Sequence, residues 1–312
     1  MRDDVEGTSI AARQAEVARR TGPGRDRALV DLGRELRRGG RAHDAVAVLT
    51  AARQSSLDDG RRRDVAVCDR LLGIALADLG RLDEALGRLQ AALRTRVSLG
   101  PPDALAACDA ELGRVLLGLG RPTDALVHLD AAAVAFAALA LSVPAAIVTH
   151  DRGVVLHELG RLEQAEAALV AARRALAAAG LPGEVAVCEV NLGLLLVELD
   201  RSGEAVALLS VAERTLAMLR RPLGAATCAQ GLAAARRRLG RLEAARADLE
   251  RARTAFAEAG ADLDVAACDH DLGELLIDLG ELDEAERRAE ASRAAYLAAG
   301  SPLPRPGLSG TW

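Results

Sequence analysis

The sequence predicts an all-α protein, an α-solenoid of about seven helix-turn-helix units, on three observations. The chain aligns on itself at a shift of 40 residues without an insertion. Glycines cut each copy into two halves of 20 residues. Within each half the apolar residues recur at steps of three and four, as one face of a helix requires. In repeat arrays each unit contacts only its neighbours, so a length of 312 residues does not imply two globular domains.

The repeated phrase reads LGRELRRGGR from Leu32, LGIALADLGR from Leu72, LGRVLLGLGR from Leu112 and RGVVLHELGR from Arg152. It continues as LGLLLVELDR from Leu192, LAAARRRLGR from Leu232 and LGELLIDLGE from Leu272, seven copies in all. Gly40, Gly80, Gly120, Gly160, Gly240 and Gly280 alternate with Gly60, Gly100, Gly180, Gly260 and Gly300. They mark helix ends, because a C-terminal cap needs a left-handed residue; Pro101, Pro102 and Pro182 then bar continuation. In the second copy Val65, Cys68, Leu72, Leu76 and Leu79 line one face of the first helix. Leu82, Ala85, Leu86, Leu89, Ala92 and Leu93 line the second, with Asp83 and Glu84 at its positive end. A lone hairpin cannot bury such a stripe, so the copies must stack. Arg152 for the expected leucine and Asp200 for the expected glycine predict local irregularity in the fourth and fifth copies.

Half of the residues are apolar but only four are aromatic, so the core is built of Ala, Leu and Val, and Ala and Leu favour helix. The basic residues are all arginine, the codon bias of a GC-rich genome. A net charge of -5 argues against nucleic acid as the partner. The opening MRDDVEGTSI has no signal-peptide core, and no stretch reaches the roughly 18 uninterrupted apolar residues of a membrane helix, so a cytoplasmic location is expected. Residues 1–24 are expected to form a capping helix and linker, 25–300 the array, and 301–312, SPLPRPGLSGTW, a disordered tail. Within that tail Trp312 is either incidental or a short docking element. Ala289, where other copies have leucine, gives the last helix a solvent-tolerant face, so the array is expected to be complete and any effector to reside on another chain.

The phrase resembles the tetratricopeptide repeat. A small residue follows the leucine of the first helix, at Gly33, Gly73, Gly113, Gly153, Gly193, Ala233 and Gly273. An alanine opens the second helix in every copy, from Ala45 to Ala285, and a leucine follows it, from Leu49 to Leu249. The repeat length of 40 exceeds the commonest family length of about 34, and leucines replace the family's aromatics, a form similar to the arrays of kinesin light chains and bacterial regulators. The resemblance implies a right-handed superhelix whose first helices line a concave groove. It further implies that Asn191 bonds a peptide backbone, with His150, Asp151, His157, Gln230, Arg237, His270, Asp271 and Glu274 around it. The groove is then a charge mosaic, basic in the first and sixth copies and acidic in the last.

Other constellations reduce to structure. Cys68, Cys108, Cys188, Cys228 and Cys268 occupy one place in five copies, where Ala28 and Val148 stand in the others, so they read as small core residues. Stacked helices about 10 Å apart hold them beyond disulfide reach, and no CxxC pair exists for zinc. His150 and His157 lie about 10 Å apart along their helix, too far to share an ion unaided. Arg236, Arg237 and Arg238, with Arg34, Arg37 and Arg38, form the strongest basic clusters. No HExxH, phosphate loop, GxSxG or nucleophile with a base is present, so neither catalysis nor a cofactor or metal is expected. The expected function is a monomeric bacterial adaptor or sensor that holds a protein or peptide. A self-associating scaffold and a regulatory module responsive to a small ligand or nucleic acid remain open.

Overall fold

A computed structural model describes residues 2–99 and 101–300, with side chains from 10 to 95 and from 101 to 300. Gly100 and the tail 301–312 lie outside the described residues. Fifteen helices and no strand occur among those described. The chain divides into two compact units, Met1–Gly160 and Arg161–Trp312.

The first unit holds α1 (Arg2–Arg19), α2 (Gly22–Arg38), α3 (Ala42–Asp58), α4 (Arg62–Asp78), α5 (Leu82–Leu99), α6 (Pro102–Gly118), α7 (Pro122–Ala138) and α8 (Ser142–Glu158). The second holds α9 (Leu162–Ala178), α10 (Pro182–Glu198), α11 (Ser202–Met218), α12 (Pro222–Arg238), α13 (Leu242–Glu258), α14 (Asp262–Leu279) and α15 (Leu282–Ala298). In each unit every helix packs on the next. First helices of successive copies also meet, α2 with α4, α4 with α6, α6 with α8 and α10 with α12. Each unit is therefore a stretch of α-solenoid. The first repeat helix already begins at Gly22, so the connection to α1 is shorter than residues 21–24, with Pro23 in the first turn where its missing N–H is harmless.

The turns follow one geometry. Gly40 has φ of 71°, its N–H donates to Arg37 O at 3.1 Å, and the Arg41 N–H donates to Leu36 O at 2.8 Å. Such paired bonds satisfy carbonyls that the helix end would otherwise orphan. Asp200 corrects the expected irregularity: it adopts φ of 60° in the glycine's place, and the Arg201 N–H still reaches Leu196 O at 2.8 Å. Aspartate tolerates the left-handed region better than most residues. Arg152 is equally harmless, because it stays helical and its Nε donates to Asp130 Oδ1 on α7 at 2.6 Å.

The tightest packing lies inside each hairpin. A Cβ added to Gly113 would stand 2.5 Å from Leu129 Cγ, and the same clash recurs at Gly33 with Leu49, Gly73 with Leu89 and Gly193 with Leu209. In the sixth copy Ala233 stands in the glycine's place and shares a core cluster with Leu249. In the last copy Ala289 removes the leucine, and a Cβ on Gly273 would meet nothing closer than Ala285 O at 3.4 Å.

A second device joins the copies. Asp69, buried on α4, accepts from Arg53 Nε of α3 at 2.6 Å and from Arg88 Nη1 of α5 at 3.2 Å. Asp269 on α14 does the same with Arg253 and Arg288, each at 2.7 Å, and Glu189 on α10 takes Arg173 Nε at 2.8 Å. On α6, Asp109 pairs with His128 Nδ1 at 2.8 Å. Each of these acids follows a core cysteine, and each holds two or three helices in register.

Gly113→Ala is expected to lower stability by about 1–2 kcal/mol in urea unfolding, the steric cost offset in part by helix propensity. Gly273→Ala is expected to be neutral or to raise stability by up to about 1 kcal/mol, since no leucine opposes it.

Candidate functional site

The first helices present polar side chains along one face, and the nine residues singled out from the sequence fall into two sets, one in each compact unit. In the first unit, Arg114 Nη1 of α6 donates to Asp151 Oδ2 of α8 at 2.8 Å, and Arg114 also pairs with Glu111 at 2.6 Å. His150 Nδ1 lies 3.2 Å from Asp151 Oδ1, and His157 stands half-buried two turns further along α8. Burial opposes the charge on Arg114, but Glu111 and Asp151 outweigh it and raise its pKa. Arg114 therefore stays charged.

In the second unit, Asn191 lies on α10 on the same face as Val187 and Leu194, at four- and three-residue spacing. The next first helix comes close there, since a Cβ on Gly231 would stand 3.0 Å from Leu194 Cδ2. Gln230 Nε2 donates to Asp271 Oδ2 at 2.7 Å. Arg237 donates through Nη1 to Glu274 Oε2 and through Nε to Asp278 Oδ2, each at 2.5 Å, and through Nη2 to Glu274 O at 3.3 Å. His270 Nε2 lies 3.5 Å from Glu274 Oε1. Burial works against the Arg237 charge, and Asp278 and Glu274 more than compensate, so its pKa is raised. Asp278 was not anticipated from the sequence. The signal was present in the spacing: Gln230 and Asp271, Arg237 and Asp278, and Arg37 and Asp78 are all 41 residues apart, one copy plus one residue.

These pairs correct the expected charge mosaic. The arginines of the sixth copy and the acids of the last neutralise one another instead of forming separate basic and acidic stretches. In the first copy Arg34 pairs with Asp31 at 3.0 Å, Arg38 with Glu35 at 2.7 Å and Arg37 with Asp78 at 3.2 Å. Arg236 pairs with Asp248 of α13. The clusters are basic in sequence but largely paired in the fold, some arginines with acids on their own helix or hairpin and others with acids one copy away.

The five cysteines are buried and unpaired as disulfides. Burial raises the thiols of Cys68 and Cys228 to about 12, with nearby carboxylates adding to the shift, and it raises Cys268 likewise. Among the described residues no group of three or more His, Cys, Asp or Glu is placed to hold a metal ion. Nor is any described helix long and apolar enough to cross a membrane.

Stacked helix hairpins with a shared first-helix face define the class of helical-repeat proteins. The sequence model of the tetratricopeptide repeat matches residues 66–91, 106–131, 146–179 and 266–291. The chain therefore carries tetratricopeptide repeats in those four segments. Solved structures share the fold at low identity. A Rap protein complexed with competence and sporulation factor is 12% identical, with a TM-score of 0.74 over 94% of this chain and 80% of that one. The apo quorum sensor NprR from B. thuringiensis is 14% identical, with a TM-score of 0.71 over 93% and 81%. The Rap conjugation regulator of plasmid pLS20, in complex with the Phr* peptide, is 14% identical, with a TM-score of 0.67 over 89% and 74%. No curated protein sequence matches the chain.

Arg237→Glu is expected to cost roughly 1–2 kcal/mol at low ionic strength, less in salt, because it sets three carboxylates together across a partly exposed face. Adding Glu274→Arg should restore most of the loss in a double-mutant cycle. Thiol labelling at pH 8 is expected to leave the five cysteines unmodified in the native protein and to reach all five in guanidinium, since their sulfurs are buried.

Proposed function

We propose that the chain is a cytoplasmic, monomeric scaffold that recognises a peptide or protein segment on the face of its first helices and performs no chemistry of its own. The observation that carries the reading is the make-up of that face in the second unit. Asn191, flanked by Val187 and Leu194, offers an amide between apolar neighbours, and the next two first helices add the pairs Gln230–Asp271 and Arg237–Glu274–Asp278. Helix backbone groups are satisfied internally, so only such side chains can bond an incoming main chain. Apolar neighbours supply contact area, and paired charges give orientation more than affinity. His150, Asp151 and His157 extend the same chemistry in the first unit.

The likeness to peptide-binding regulators supports this reading. The pLS20 regulator is described with the Phr* peptide and the Rap protein with a competence and sporulation factor. The pairing of Arg236 and Arg237 weakens the reading as a nucleic-acid sensor, which rested on a cluster of available cations.

Asn191→Ala is expected to weaken capture of a native partner by tenfold or more while leaving helicity and melting unchanged. Affinity capture from the native lysate, quantified for wild type and variant, checks this. Equal retention by both proteins, or loss of folding in the variant, would overturn the assignment of Asn191 to the binding face.

A further inference from the structure

We propose that the segment 301–312, SPLPRPGLSGTW, docks on the end face of the last copy, along α15 and the C-terminal turn of α14. This contact lies apart from the first-helix face and goes beyond the recognition role proposed above.

In earlier copies the next hairpin covers this face. Leu82 and Leu242, at the start of their second helices, are half-buried, and a Cβ on Gly118 of the following first helix would stand 3.1 Å from Leu82 Cδ1. Leu117 and Val197, in the last turn of their first helices, are half-buried and buried. Their counterparts in the last copy are open. Leu282 is 63% exposed and Ile277 59%, with Leu297 65% exposed near the other end of α15. Leu282 and Ile277 lie on either side of the turn at Gly280, so one end of the face is apolar on both helices. Grouped apolar surface of this kind marks an interaction site.

The turn before the segment directs it onto this face. Gly300 has φ of 63° and its N–H donates to Leu297 O at 3.1 Å. Gly180 and Gly260 have the same geometry, and each delivers the chain into a first helix packed on the preceding second helix. Pro302 stands where Pro102, Pro182 and Pro222 open first helices, and Leu303 where Leu223 and Leu263 follow. Pro304 and Pro306 then bar a helix and favour an extended polyproline chain.

Length and charge agree with that path. Leu282 and Leu297 are fifteen residues apart in α15, about 22 Å. Eight extended residues, from 301 to 308, span about 25 Å. A segment running back along α15 thus starts beside Leu297, brings Leu308 to Leu282 and leaves Trp312 within reach of Ile277. Arg305 is the one charged side chain of the segment, and it falls midway. Midway along α15 stand Glu286 and Glu290, both exposed. Arg287 and Arg288 turn to Glu284, so neither acid forms an ion pair among the described residues. The second and third copies hold Leu86 and Leu126 at the place of Glu286. An acid there suits the arginine of the segment better than the apolar face of a further helix.

Trp312 is the only tryptophan of the chain, so acrylamide quenching of its fluorescence reads the contact in the full-length protein. The quenching constant is expected to be at least twofold below that of a synthetic peptide of residues 301–312. Leu282→Gln, and separately Glu286→Arg with Glu290→Arg, change exposed side chains only and should each bring it to the peptide value. Adding Arg305→Glu to the second variant should restore the protection. Four results would overturn the proposal. Wild type quenched as fully as the peptide would leave the face to a different partner, and protection lost on hundredfold dilution would assign it to a second copy of the chain. Protection unchanged in Leu282→Gln, or not restored by the charge exchange, would show that the segment is shielded elsewhere.

Discussion

The close crossing of glycine under leucine inside four of the hairpins is the constraint on which the rest of the structure depends. Gly33, Gly73, Gly113 and Gly193 carry no side chain because Leu49, Leu89, Leu129 and Leu209 occupy the space a Cβ would need. Interaxial distance follows from the side chains at a crossing, so these pairs set the width of a copy. Left-handed turns at a constant interval then return the chain to the same position for the next copy. With width and turn both set, first helices within each unit stand beside their counterparts, and residues about 40 apart become neighbours.

Buried carboxylates convert this regularity into register. Asp69 and Asp269 each receive two arginines from the second helices on either side, and Glu189 receives one. Net stability from buried ion pairs is small, because desolvation offsets most of the attraction. Their consequence here is positional, since sliding one helix by a turn would leave a buried charge without its partner. With an Ala, Leu and Val core of few aromatics, packing alone discriminates weakly between neighbouring registers, and the ion pairs add the discrimination.

The same geometry governs the first-helix face. Arg37, Arg114 and Arg237 each reach an acid on the following first helix, so a ligand meets a surface whose charges are already matched. An incoming charged residue must share or exchange those partners. Selectivity then rests on geometry and on the uncharged elements, Asn191 with Val187 and Leu194, more than on net charge.

The sequence by itself determined the number of copies, the helix boundaries to within a few residues, the turn glycines, the small residue at each crossing and the core place of the cysteines. These are local or periodic properties, readable because each copy repeats the same solution to the same packing problem. Tertiary structure alone decided which charges meet. A run such as Arg236 to Arg238 is basic in one dimension, yet Arg236 turns to Asp248 on its own hairpin, Arg237 to Glu274 and Asp278 on the next, and Arg238 to an open cleft. Side-chain direction around a helix advances by about 100° per residue, so three neighbours in sequence face three different environments once the helices stack.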